Sequence, residues 1–533
     1  MPLLKPFKTK KEEEEEEDKE LETSRTIVET NVSSYFDIPS SIQEINESNT
    51  QELTYASYQQ YYEANKDVIF EQKKKDINHP LADLERQISQ ESTNSNCSTI
   101  GNNYETTKDA MFAEDAGMKF PEGGFEAWRV VLGSFMALTS IFGLENVSGV
   151  IETHILENQL SQYKQSTIGW IFSINLFVMF VTSVFSGTYF DRNGCTVLII
   201  LGGILVTGGL VATGNASEMW HFVLSYGLCC GLGSGLAVSA VIGPVNQYFN
   251  RKRGLVSSIS SSGGSVGGIV FPFMLRKLYV QVGFTRAMRC FALVHGFCFL
   301  SAALLIKERI DKPDISQQSV HSRVKTYLTA FDLSGLQDLR FFLCCLGCVF
   351  AESLALTMGT YYVSYAKSHG LSLSSSYLLI SLTNAGGIPG RWITGLVSDH
   401  VGRFNVMAVT LFLCGVSCLV ILIPFAKSHN SVFYVFAVVW GFTTGSIFSL
   451  IPVCCAQISK TQEFGKRYGT MYSMVGCGVL IWIPISGSII ADGTDLDYRN
   501  FILFMGVTGF CASGCYAWSR AKCIGWKNIW AKF

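Results

Sequence analysis

From Trp128 to about residue 519 the chain alternates between apolar runs of roughly 18–24 residues and short polar breaks. A helix closes its own backbone hydrogen bonds, and a run of that length spans about 30 Å of hydrocarbon. Twelve such runs are predicted to be membrane helices: 128–150, 167–190, 196–214, 220–243, 255–275 and 287–306, then 341–364, 376–398, 405–425, 431–453, 468–490 and 500–519. A polar stretch at 307–340, with Lys307, Arg309, Lys312, Arg323, Lys325 and Arg340, divides them six and six. The expected fold is an all-α membrane protein whose twelve helices form two pseudo-symmetric six-helix bundles, over 121–306 and 341–519. A linker lies at 307–340 and a C-terminal tail at 520–533.

Residues 1–120 read differently. Apolar positions are sparse and follow no period, so this segment buries too little surface to offset its chain entropy and is expected to be disordered. It holds the run Glu12–Glu17. Residues 1–127 carry a formal charge of −14 and residues 128–533 carry +12, which together give the net −2 of the chain. The basic charge is scattered between apolar runs rather than gathered on one face, which argues against a nucleic-acid partner. No apolar signal region opens the chain, so the acidic tail is expected in the cytoplasm. An even number of crossings puts both termini on one side, and the loops of that side hold 18 Lys/Arg against 8 opposite. That bias predicts cytoplasmic termini, linker and tail. The loop after the fifth helix, with Arg276, Lys277, Arg286 and Arg289, runs against it. A regulatory or trafficking role for the acidic tail is a secondary expectation.

The 17 cysteines fall mostly inside apolar runs, as in Cys229–Cys230, Cys344–Cys345 and Cys454–Cys455, and no spacing matches a zinc site. They read as small packing residues. No P-loop is present, and no nucleophile–base set lies outside the membrane, so neither an enzyme nor an ATP-driven pump is expected, and no cofactor or metal. Asn215 opens a sequon on a predicted exterior loop too short and too close to the bilayer for modification.

The two halves repeat one another. Gly187, Asp191, Arg192 and Gly194 end the second helix; Gly395, Asp399, Gly402 and Arg403 end the eighth, and Gly, Asp and Gly recur at an offset of 208. The first Gly lets helix ends approach, and the Asp is placed to cap the next helix or pair with a cation. Two copies at matched places predict gating loops that latch one conformation. A second pairing sets Arg253-Gly254, leading a Ser/Gly-rich helix, beside Lys466-Arg467-Tyr468-Gly469. The small-residue run Ser257–Gly268 reads as close helix packing.

This arrangement resembles the major facilitator superfamily, whose signature matches both loops; the first copy has Cys195 where the family usually has Arg. Pro121-Glu122-Gly123-Gly124-Phe125-Glu126-Ala127-Trp128 resembles the segment that leads into the first helix of monocarboxylate transporters. STIGWIFSINLF, GGSVGGIVFPFMLR and GIPGRWITGLVSDHVGRFNV are similar to a fungal branch of that monocarboxylate-transporter-like family, the plasma-membrane riboflavin transporters. The likeness covers about residues 120–533. It implies a secondary transporter that takes up riboflavin or a related flavin facilitatively across the plasma membrane. Such a carrier works as a monomer between lipid and small-molecule solute. A vacuolar membrane is the alternative location.

Monocarboxylate transporters use a Lys in helix 1 and an Asp-x3-Arg in helix 8. By this resemblance the Lys position is Asn146, the Asp position is Gly387, and the Arg matches Arg391. An anion anchor and a proton carrier are both missing, which suits a bulkier, weakly charged solute. Ionisable groups inside a membrane mark sites by their cost, and Glu145, His295, Glu352 and Arg391 are such groups. A flavin needs aromatic faces and hydrogen-bonding edges. The candidate solute-binding residues are therefore Asn146, Asn175, Glu352, Tyr361, Tyr362, Asn384, Arg391, Trp440 and Trp482, with packing as the competing role for the aromatics. The other readings are a proton-coupled carrier of monocarboxylates (organic acids) and a membrane nutrient sensor signalling through the acidic tail.

Overall fold

A computed structural model describes residues 120–310, 330–425, 430–491, 493–525 and 532–533. The acidic segment, most of the linker and most of the C-terminal tail lie outside the described residues. Among those described, twelve helices of 18 residues or more follow one another. The first six are α1 (Phe125–Glu157), α2 (Gln165–Asn193), α3 (Thr196–Thr213), α4 (Met219–Tyr248), α5 (Arg253–Val282) and α6 (Phe284–Leu305). The second six are α7 (Leu339–Ser368), α8 (Leu373–Val401), α9 (Arg403–Phe425), α10 (Ser431–Gln457), α11 (Phe464–Ile490) and α12 (Asp495–Ile524). Most overrun their apolar windows at both ends. Thirty residues of helix extend about 45 Å, so polar turns project beyond the hydrocarbon.

The packing is duplicated. In the first half α1 packs on α5 and α6, α2 on α4, and α3 on α4 and α6. In the second half α7 packs on α11 and α12, α8 on α10, and α9 on α10 and α12, the same five partnerships six helices later. Smaller contacts of α5 with α10 and of α4 with α10 and α11 aside, two further contacts join the halves: α2 against α11 and α5 against α8. Each is the pseudo-symmetric image of the other.

Ten of the twelve helices are long and apolar enough to cross a membrane by composition alone. The exceptions are α5 and α8, which pack on each other at the junction. Their Ser, Gly and Asn residues lower the mean hydropathy because they face protein rather than lipid. Ser257, Ser258, Ser260, Ser261, Ser262, Ser265 and Asn384 are all buried. A π-helical turn, Val223–Cys230, interrupts α4, and a second, Cys418–Leu422, interrupts α9. Cys344, Cys345, Cys348, Cys454 and Cys455 are fully buried in the second half, as packing residues.

Candidate functional site: the junction between the halves

Both signature loops sit at one end of the bundle, and both reach across to the other half. Asp191, in the last turn of α2, accepts hydrogen bonds from the Gly465 and Lys466 amides at 2.8 and 2.7 Å. Asp399, in the last turn of α8, accepts from the Gly254 and Leu255 amides at 2.8 and 2.9 Å. Each carboxylate thus caps the first turn of α11 or α5, where free N–H groups and the helix dipole favour negative charge. The sequence suggested a cap on the next helix in the chain; the capped helix belongs to the opposite half, which a local pattern does not reveal. The caps also correct the phase of the repeat, because Gly254 corresponds to Gly465 rather than to Gly469.

The loop glycines have distinct jobs. Gly194 and Gly402 turn the chain at φ 92° and 111°, a region open chiefly to glycine. Gly187 lies against the Gly465 backbone and Gly395 against Gly254. A methyl group on Gly254 would stand 2.7 Å from the Gly395 carbonyl oxygen, so side chains here would push the halves apart. Arg403 supports the second cap, with a guanidinium nitrogen 3.7 Å from Asp399. Cys195 takes that place in the first loop and offers its amide to Glu308 at 2.9 Å. Arg192 is half-buried and has no acidic partner within 4.0 Å among the described residues.

Two further carboxylates brace the capped helices. Glu122, in the segment leading into α1, accepts from the amides of Asn250, Arg251 and Lys252 at 2.8, 2.5 and 3.2 Å. Asp332, ahead of α7, lies 3.3 Å from Lys466 and 3.5 Å from Arg467. Its amide donates to Thr470 at 2.9 Å, and the neighbouring Ala330 carbonyl accepts from Thr188 of α2 at 3.4 Å. Burial pushes the Asp332 carboxyl up, but the Ser334 hydroxyl, the Gly335 amide and the Lys466 charge outweigh it and hold it below its ordinary range. The acid in the linker went unremarked because only the fold brings it to α11.

About 10–16 Å further in, a layer of side chains joins the halves again. Arg391 of α8 is buried and donates to the Ser261 carbonyl of α5, with its guanidinium 5.1 Å from the centre of the Phe448 ring. Phe448 of α10 faces Phe142 of α1 at 6.2 Å, and Phe180 of α2 faces Tyr472 of α11 at 5.5 Å. Glu352 is buried and accepts from the Tyr472 hydroxyl at 3.0 Å. No carboxylate comes within 4.0 Å of Arg391 among the described residues. A small cavity beside this layer is lined by Ser134, Ser257, Ser260, Ser261, Phe142 and Phe448.

One helical turn beyond Phe142, Asn146 meets Asn384 across the junction, the Asn384 amide donating to Asn146 Oδ1 at 3.2 Å. Of the nine candidate residues, Asn146, Asn384 and Arg391 touch the opposite half, and Glu352 joins them through Tyr472. The other five are engaged within their own halves. Asn175 donates to the Tyr226 carbonyl of the π turn at 2.8 Å. The Tyr361 and Tyr362 hydroxyls donate to the carbonyls of Ile483 and Phe433. Trp440 stacks on Phe436 at 5.5 Å, and Trp482 packs between Phe350 and Phe504. Residue type alone does not separate these roles. Ser261, Phe448 and Tyr472 were missed because an ordinary helix residue carries no local signal of facing a partner half.

The family model of the Major Facilitator Superfamily matches residues 132–457 and again 393–528. The chain belongs to that superfamily. It is 42% identical to the riboflavin transporter MCH5 of Saccharomyces cerevisiae over 448 residues, 81% of this chain and 85% of that protein. It is 30% identical to the aspyridones efflux protein apdF of Emericella nidulans, over 74% of this chain and 79% of that one. Among solved structures it resembles the human organic anion transporter MFSD10, with a TM-score of 0.60 at 14% identity over 74% of this chain and 100% of that chain. The protein is therefore a multi-pass membrane transporter of a small molecule. The duplicated halves, meeting at two mirrored seams, are the machinery by which this superfamily moves a solute.

Proposed function

We propose that the chain takes up riboflavin, or a related flavin, across the plasma membrane by facilitative alternating access, working as a monomer with both termini in the cytoplasm. The observation that carries this reading is the 42% identity to a riboflavin transporter over four-fifths of the chain. The junction fits it. Inward of the Asp caps, its contacts between the halves include the Asn146–Asn384 amide pair and Arg391, flanked by Phe142 and Phe448, and Gly387 and Asn146 stand where an acid and a lysine would serve a carboxylate solute. Both cap pairs are closed, so in this orientation the cytoplasmic end is shut and solute would arrive from outside. Opening requires the two Asp caps and the Arg391–Ser261 contact to break together, while contacts within each half persist.

Labelled riboflavin uptake by a riboflavin-requiring yeast that lacks its own transporter tests this. Expression of the chain at the cell surface should restore saturable uptake that withstands a protonophore. No gain in uptake with the protein at the surface would overturn the flavin assignment. A second reading, export of a bulky metabolite, is favoured by the efflux relative at 30% identity. It predicts that the expressing cells retain less of a preloaded solute.

A further inference from the structure

Asn146 and Asn384 are the amides that meet across the junction. Asn384 Nδ2 donates to Asn146 Oδ1 at 3.2 Å and to the Ile380 carbonyl at 3.1 Å. Asn146 Nδ2 donates to the Phe142 carbonyl at 2.8 Å and reaches the Gly264 carbonyl at 3.5 Å. The one bond between the halves is thus the 3.2 Å contact from Asn384 to Asn146, the Gly264 contact stays within the first half, and each asparagine is anchored on its own helix by a shorter bond. Asn384 is 7% exposed, yet its Oδ1 accepts no hydrogen bond from the described residues. Beside the pair, α5 presents Gly264 and Gly268, one turn apart. A Cβ at Gly268 would stand 2.6 Å from the Asn384 amide carbon, and one at Gly264 would stand 2.7 Å from Phe142 Cβ. The two glycines let the Asn384 amide and Phe142 pack directly on the α5 backbone.

We propose that this amide pair reads the solute through a donor–acceptor edge, a ring N–H next to a carbonyl, as in a cyclic amide or imide. Each asparagine spends one N–H on its own helix and keeps a second N–H and a carbonyl oxygen, so the bond between them is the pattern that such an edge replaces. A cyclic imide accepts from one amide and donates to the other. Because the asparagines belong to different halves, the solute exchanges one 3.2 Å contact for two bonds that tie the halves together. A carboxylate solute has no N–H to offer the Asn384 Oδ1 and is discriminated against. The proposal rests on the reading that solute binds between the halves. It deepens the flavin assignment, since the pyrimidine ring of a flavin carries such an edge and its ribityl chain does not.

The test uses matched ligands on the purified full-length protein in lipid nanodiscs, with affinity measured for riboflavin, 3-methylriboflavin, uridine and 3-methyluridine. Methylating the ring nitrogen removes the N–H and should weaken binding roughly tenfold within a pair, the value of one buried hydrogen bond plus an unpaired acceptor. Asn384→Ala should bring the ratio within each pair close to one, whereas a residue that only holds the bundle together would weaken both members alike. Equal affinity of riboflavin and 3-methylriboflavin in the wild-type protein overturns the edge and leaves the flavin assignment standing. Discrimination in the uridine pair without riboflavin binding keeps the edge and removes the flavin. Binding by none of the four overturns both.

Discussion

At the scale of single residues, the proposed gate rests on two carboxylates. Asp191 and Asp399 each hold two backbone amides of the opposite half, so under this proposal each acts on the equilibrium between closed and open ends rather than on the folding of its own half. Loss of a helix cap costs about 1 kcal/mol, and charge-assisted bonds cost about 1.5–3 kcal/mol. Asp399→Asn should therefore raise the open population about fivefold or more. The readout is modification of a Ser257→Cys reporter, buried below the cap, by a membrane-impermeant thiol reagent applied from the gated side. Unchanged labelling would show that the cap does not hold the gate. Asp332 makes a separate prediction, in pH. Its carboxyl is held below its ordinary range, so its stabilisation is complete above that range and is lost only as pH falls through the lowered value. The difference in thermal midpoint between the wild-type protein and Asp332→Asn should be constant between pH 7 and 5 and shrink in stronger acid. Parallel curves would remove Asp332 from the account.

At the scale of helices, legibility followed hydropathy. Ten spans announce themselves by apolar length, while α5 and α8 are readable mainly as members of the repeat. These two carry the small and polar residues of the junction, so the helices hardest to see in a hydropathy trace do most to join the halves. The signature loops were legible because their glycines and aspartates recur at one offset. Their target helices were not, since the amides that they cap lie 145 and 274 residues from the carboxylates. The site was legible only in part for the same reason. Asn146 and Asn384 face the other half, whereas Tyr361, Tyr362, Trp440 and Trp482, of equally suitable type, spend their polar atoms and faces inside one half. The π turn of α4 adds a prediction. Asn175 satisfies its Tyr226 carbonyl from α2, so Asn175→Leu should leave a buried acceptor unpaired and cost about 1–3 kcal/mol of stability. A lower thermal midpoint in nanodiscs is the expected result, and no change would mean that the π turn satisfies itself.

For the whole molecule, the central claim is mechanical. Two halves with the same internal packing meet chiefly at α2–α11 and α5–α8, and the two Asp caps, the Gly187–Gly465 and Gly395–Gly254 contacts and the Asn146–Asn384 bond all run from one half to the other. If the halves rock as rigid bodies about that junction, the two ends of the bundle must move in opposite directions. Pulsed electron–electron distance measurements on a cysteine-depleted protein in nanodiscs test this directly. One spin-label pair would sit at the exposed positions Arg251 and His400 of the gated end, and one at the exposed positions Gln162 and Lys367 of the far end. On adding riboflavin, the account predicts distance distributions whose changes have opposite signs at the two ends. Changes of the same sign at both ends, or movement at one end alone, would contradict it.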